Sequence, residues 1–263
     1  VRRSAVSAAA RLDELLGDPD AGLDRILAVI ASIDDEPPDE AHIVTEFDRL
    51  ADEAPDDGSP DSLLDYVHGV LGFTGDVADY YNPANSLIHR VLSRRRGIPL
   101  TLAAVAAEVG RRRGVDLRPI GMPGHILLGE GPEPTQWFDP FNRGAGLGYD
   151  DCRTLFSRFH PVEAFTPAML RPIGHQAVAI RTLNNLRVAY ARLGQVARMI
   201  PVLELRAAMA SAGPTDQHEL VNALVGLGRY DRAAEVLEKL ADIDHDRAPA
   251  YRARVRAMRA HRN

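Results

Sequence analysis

Apolar residues recur through the first seventy positions at helical spacing. Leu23, Ile26, Leu27 and Ile30 fall at i, i+3, i+4 and i+7, so they share one face. The run Asp34-Asp35-Glu36-Pro37-Pro38 ends that helix: paired prolines cannot continue it, and acidic side chains disfavour a helix C-terminus. Ile43, Phe47 and Leu50 predict a second helix. After the turn Pro55-Asp56-Asp57-Gly58, Ser59 as N-cap and Pro60 at the first helical position open a third, with Leu63, Val67 and Leu71 as its buried stripe. Helices this short are marginal alone and need a partner surface.

The pattern then changes. Asn85 to Arg95 reads as a helix with Ile88, Val91 and Leu92 on its inner face, closed by Arg96-Gly97, where glycine suits a left-handed C′ position. Pro99 and Thr101 stand at the start of the next helix, whose apolar face is Leu102, Val105, Ala106 and Val109, and Gly114 ends it. Leu117 to Met122 reads as a strand, Pro123-Gly124 as a turn, His125 to Leu128 as a second strand and Trp137 to Asp139 as a third, stopped by Pro140. Helices followed by strands predict an α+β fold with an antiparallel sheet.

From about Asn184 the helical period returns and repeats. Residues 189–204 and 223–238 align at an offset of 34: Leu193 and Gly194 match Leu227 and Gly228, and Leu203 and Glu204 match Leu237 and Glu238. That period resembles tetratricopeptide repeats, in which a small residue lets two helices approach. Two units are fewer than such arrays need alone, so they are expected to pack on the preceding domain, as a binding surface or a cap.

Charge adds an asymmetry. The net charge is -6 over 263 residues. Residues 1–80 hold 20 acidic and 5 basic side chains, whereas residues 81–120 hold 2 and 8. The runs Arg94-Arg95-Arg96 and Arg111-Arg112-Arg113 could form an anion or nucleic-acid site, or could match the acidic N-terminal helices. No aromatic residues interleave with them, which argues against nucleic acid. Cys152 is the only cysteine, which excludes a disulfide framework and suits a reducing, cytoplasmic compartment. No apolar run approaches the ~20 residues of a membrane helix. The basic start Val1-Arg2-Arg3-Ser4 is not followed by a long apolar region, so no secretory signal is expected.

Candidate chemistry centres on His125, after a Pro-Gly turn, and Asp139, before Pro140-Phe141-Asn142. A helix start near Pro99–Thr101, then histidine, then carboxylate is a cysteine-protease-like order, in which the dipole and imidazole activate a thiol and the carboxylate orients the ring. The alternative is a structural hydrogen bond between His125 and Asp139 across adjacent strands. His89, His125, His160 and His175 fit no zinc spacing, and Gly121 to His125 lacks the lysine of a phosphate-binding loop, so neither metal nor cofactor is expected.

Residues 80–147 resemble the transglutaminase-like domain of the bacterial SirB-type proteins, which carry tetratricopeptide repeats. The matching stretches are Asn85-Ser86, Val91-Leu92, Arg95-Arg96-Gly97-Ile98-Pro99-Leu100-Thr101-Leu102, Leu117, Pro123-Gly124-His125 and Asp139-Pro140-Phe141-Asn142. The resemblance implies a helical part over 1–80, a papain-like α+β core over 81–170 and tetratricopeptide-like hairpins over 171–263. It sets His125 and Asp139 where the superfamily has its catalytic histidine and aspartate, with the nucleophilic cysteine at the helix start. No cysteine is there. Thr101 is the nearest hydroxyl, a poor substitute because its pKa far exceeds that of a thiol; capping the helix is its simpler role. Cys152 matches no nucleophile slot. The resemblance thus implies a non-catalytic binding or regulatory protein, engaging a protein partner through the repeats or the central cleft; the alternative is a hydrolase or acyltransferase using Thr101 with His125 and Asp139.

Overall fold

The structure, a computed structural model, describes residues 5–260, with side chains from Ser7 onward; the basic stretch Val1–Ser4 lies outside the described residues. The chain divides into two compact units, one of residues 15–185 and one of residues 1–14 with 186–263. After α1 (Ala5–Gly17), the larger unit contains α2 (Leu23–Ala31), α3 (Glu40–Asp52) and α4 (Pro60–Asp65), the last running into a π-helical turn over Tyr66–Val70. The expected signals cap them: Asp39 accepts from Ala41 N at the start of α3, and Ser59 accepts from Ser62 N ahead of Pro60 in α4. Ile26, Ile43, Phe47, Leu50, Leu63 and Val67 are buried, as their spacing predicts.

Next come β1 (Thr74–Gly75), α5 (Ile88–Arg94), β2 (Arg96–Gly97) and α6 (Pro99–Arg113). Here the structure corrects the sequence reading. The left-handed residue closing α5 is Arg95, at φ 56°, and Gly97 belongs to a short strand parallel to β1. Tertiary contacts hold Arg95 in this conformation: its guanidinium lies 4.6 Å from the Phe73 ring centroid and 3.7 Å from Glu46. α6 is the centre of the unit. A single apolar stripe was expected, yet every residue from Pro99 to Gly110 is buried, because the helix touches α2, α3 and α4 as well as the sheet. Ala103, Ala104, Ala106 and Ala107 make that enclosure possible, since small side chains let neighbours approach on all sides.

The antiparallel sheet follows, with strand order β3-β4-β5-β6: β3 (Leu117–Ile120), β4 (Leu127–Glu130), β5 (Trp137–Asp139) and β6 (Ala145–Leu147). The first two strands are shifted from their predicted spans. Ile120 pairs with Leu127, so Gly121, Met122 and His125 fall in the connecting turn. The unpredicted β6 is too short and glycine-rich to signal itself. α7 (Tyr149–Phe159) carries Cys152 on its buried side, and α8 (His175–Arg192) begins nine residues before the predicted start near Asn184.

Five of the six arginines in the two runs have a carboxylate within 4 Å, several of them on the acidic N-terminal helices, and Arg96 is exposed. Arg112 pairs with Asp24, with Asp48 at 2.7 Å and with Glu108 at 2.7 Å. Arg111 reaches Glu108 at 2.9 Å, Arg94 reaches Asp76 at 2.9 Å, and Arg90 reaches Asp34 at 3.0 Å. Asp24, Glu108 and Asp76 are buried, so these bonds hold charges that would be costly alone.

In the smaller unit, α9 (Val196–Ala208), α10 (Pro214–Gly226), α11 (Tyr230–Ile243) and α12 (Ala248–Ala260) enclose one core that includes Leu203, Leu224, Leu237 and Tyr251. The 34-residue offset reappears in the backbone. Arg192 and Gly226 end their helices, Gly194 and Gly228 stand at φ 66° and 68°, and Val196 and Tyr230 begin the next ones. Gln195 N donates to Tyr190 O as Arg229 N donates to Leu224 O, both at 2.9 Å. The sequence pattern predicts that the two glycines let the paired helices approach, and the structure corrects this. A Cβ at either would meet nothing within 4 Å, so their role is the left-handed turn.

Candidate functional site

The turn before β4 sets His125. His125 N donates to Met122 O at 3.1 Å, Pro123 stands second and Gly124 third at φ 80°, the arrangement that wants proline and glycine in those places. A side chain at Gly124 would also strike Phe159, whose Cβ lies 2.8 Å from the position a Cβ would take. Asp139 ends β5 because Pro140 cannot extend it. Its carboxylate folds back over the following turn, where Oδ1 accepts from Phe141 N at 3.0 Å and Asn142 N at 3.3 Å.

The same Oδ1 stands 2.9 Å from His125 Nε2. A carboxylate only accepts, so Nε2 carries the proton in this bond, and Nδ1 has no protein partner among the described residues. Both side chains are about nine-tenths buried, at 9% and 11% exposure. The His125 ring stacks on Phe159, with centroids 6.1 Å apart, and meets Phe141 edge-on at 6.5 Å. Tyr80 and Tyr81 continue this aromatic series on the solvent side.

Thr101 is fully buried in the first turn of α6. Its Oγ1 donates to Asn85 O at 2.7 Å and accepts from Ile98 N at 3.2 Å, so the hydroxyl caps its own helix and ties it to the preceding segment. Asn85 is the other half of that tie: its Nδ2 donates to Asp79 O and its Oδ1 accepts from Arg94. No hydrogen bond joins Thr101 to His125 among the described residues. Cys152 is buried in α7, where burial first and the Asp151 carboxylate second push its thiol up to about 12. The remaining histidines disperse: His89 meets Asp34 at 3.1 Å, His160 meets Glu163 at 2.9 Å, and His175 borders a separate cavity near Glu108.

Beside His125 lies a cavity of about 240 Å³, walled by Ile98, Pro99 and Leu100 of the α6 start, Tyr80, Ile126, and Arg181, Asn184 and Asn185 of α8. The three α8 residues were not anticipated. They fall in or just before the predicted start of a helix, and nothing in their sequence spacing marks a site. A larger cavity, about 830 Å³, opens near the other end of α6, but its Glu108 is already engaged by Leu23 N and Arg111.

A family model described as the transglutaminase-like superfamily matches residues 40–184, more than half of the chain and the whole of this site apart from Asn185. The chain belongs to the transglutaminase-like superfamily. Among curated relatives, a UPF0162 protein of Xylella fastidiosa is 34% identical over 132 residues, which is 48% of this chain and 47% of that one. A UPF0162 protein of Pseudomonas aeruginosa is 32% identical over 165 residues, 59% of this chain and 60% of its own. The F-box only protein 21 of Mus musculus is 30% identical over 135 residues, 48% of this chain and 21% of its own. The chain thus spans about half the length of the bacterial relatives. Among the described residues no helix of this transglutaminase-like protein is long and apolar enough to cross a membrane.

Proposed function

We propose that this transglutaminase-like chain is a non-catalytic binding or regulatory protein, engaging a protein partner through the central cleft or through its tetratricopeptide-like helices. The state of Thr101 carries the proposal. Acyl transfer on a His–Asp scaffold needs a nucleophile that the imidazole can deprotonate and the substrate can reach. Thr101 meets neither need, being buried with its hydroxyl bonded to Asn85 O and Ile98 N. Cys152 offers no replacement, because a thiol near 12 is ionised to only about one part in 10⁵ at neutral pH. The His125–Asp139 bond then serves the fold: it fixes the ring and helps to close the turn after β5.

The arginine runs support a protein rather than a nucleic-acid partner, since their charge is directed into pairs with Asp24, Asp76 and Glu108. The test is an activity screen of wild type and Thr101→Ala against glutamine-containing peptides, amides and esters at matched folded concentration. Neither is expected to turn over substrate above a protein-free blank. Turnover by wild type that disappears in Thr101→Ala would restore Thr101 as nucleophile and overturn the proposal.

A further inference from the structure

The cavity beside His125 holds a positive charge that the protein does not answer. Among residues 15–185, Arg25, Arg90, Arg94, Arg95, Arg112 and Arg113 are partly buried, and each has a carboxylate within 4 Å. Arg181 is also partly buried, yet no acidic side chain reaches it among the described residues. Its Nη2 donates to Gly121 O at 3.0 Å. The close approach depends on Gly121, where a Cβ would stand 3.0 Å from that same nitrogen. Burial alone holds this guanidinium below its usual pKa. Removing a cation from water without a counter-charge is unfavourable, and a fixed fork with spare N–H donors is suited to an oxyanion.

The lining sorts into two sides. Arg181, Asn184 and Asn185 offer polar groups, and the two amides make no hydrogen bond within the protein among the described residues. Ile98, Leu100 and Ile126, with Tyr80, offer apolar surface. At about 240 Å³ the space lies below the ~300–1,000 Å³ typical of drug-sized ligands, so a residue-sized end group fits. One fixed cation beside apolar walls suits a monoanion; a doubly charged phosphate would call for more positive charge.

We propose that this cavity receives the carboxylate end of a small aliphatic residue, with Arg181 pairing the carboxylate, Asn184 and Asn185 donating to its oxygens, and Ile98, Leu100 and Ile126 holding the side chain. The proposal rests on the non-catalytic reading of the cleft, since a ligand held this way is bound and not converted. The carboxylate comes from a free N-acylated amino acid or from a peptide C-terminus.

Calorimetric titration of the full chain tests it with N-acetyl-valine, N-acetyl-valinamide, and the peptide acetyl-Gly-Gly-Val with a free or an amidated end. The free acids are expected to bind at least ten-fold more tightly than their amides. Arg181→Gln is expected to abolish that preference, and Arg181→Lys to keep part of it. Peptide acid binding well above N-acetyl-valine identifies a chain terminus as the ligand; equal affinities identify the small acid. Equal binding of acids and amides to wild type overturns the proposal without recourse to any variant, as does an acid preference that survives in Arg181→Gln. Mass spectrometry of N-acetyl-valinamide after incubation separates the two readings. Its hydrolysis would refute the non-catalytic role, whereas lost acid preference with intact amide refutes the carboxylate site alone.

Discussion

At Gly97 a methyl group would stand 2.6 Å from Thr101 Oγ1 and 3.3 Å from Val91. The hydroxyl cannot retreat without giving up Asn85 O and Ile98 N, both of which it satisfies inside the protein. Gly97→Ala should therefore cost about 1–3 kcal/mol, the usual penalty for overpacking a filled core. In a double variant with Thr101→Ala, part of that loss should return, because the second change removes the atom that the first one strikes. Urea unfolding read by Trp137 fluorescence measures both. Strictly additive losses would show that the two residues do not meet as described. Glycine after Arg95-Arg96 was legible as necessary, but the reason was not: helix-ending signals pointed to a left-handed turn, while the constraint is contact with a residue four positions on. His125 and Asp139 were legible because Pro-Gly and Asp-Pro are local turn signals that place each side chain. Arg181 was not, because its significance is the lack of an acidic partner in space.

Elements with their own start and stop signals came closest to expectation. α4 opens at Pro60 behind its Ser59 cap, and α6 runs from Pro99 to Arg113 as its flanking Pro99 and Gly114 predict. β6 and the first nine residues of α8 carry no comparable punctuation; pairing with β5 fixes the first, and in the second Val178, Ala179, Thr182 and Leu183 are buried. The second helical pair offers a contrast at two glycines only two positions apart. Gly228 is left-handed between α10 and α11, whereas Gly226 is the last residue of α10; a Cβ meets nothing within 4 Å at either. Gly228→Ala should destabilise by about 1–2 kcal/mol through backbone strain alone. Gly226→Ala should be neutral or stabilise by up to about 1 kcal/mol, because alanine favours the helix. Circular dichroism melts of the two variants check this. A large loss in Gly226→Ala would mean that helix approach, not backbone conformation, governs this turn.

Across the 15–185 unit, burial leaves its mark on stability against pH. Desolvation pulls His68, His89 and His175 below the ordinary 6.5, and in His89 it outweighs the opposing attraction of Asp34. The folded form resists protonation of these rings more than the unfolded chain, which takes up protons near 6.5, so the unfolded state binds more protons on acidification. Their contribution is complete above about pH 6.5 and is lost as pH falls through that value toward the lowered folded pKa. Trp137 is the single tryptophan and is buried in β5, so its fluorescence follows this unit. The urea midpoint should fall between pH 7.5 and pH 5.5; a midpoint that is level or rises on acidification would contradict the assignment. The sequence by itself determined the α+β class, most helix spans, the antiparallel sheet, the 34-residue recurrence and the His125–Asp139 candidates, because periodicity, caps and turns act over a few neighbouring residues. Only the tertiary structure decided that α6 is enclosed on all sides, that the arginine runs meet the acidic helices, and that Arg181 faces the same cavity as His125. Each of these depends on distances between residues tens of positions apart, and no local pattern encodes which partners the folded chain brings together.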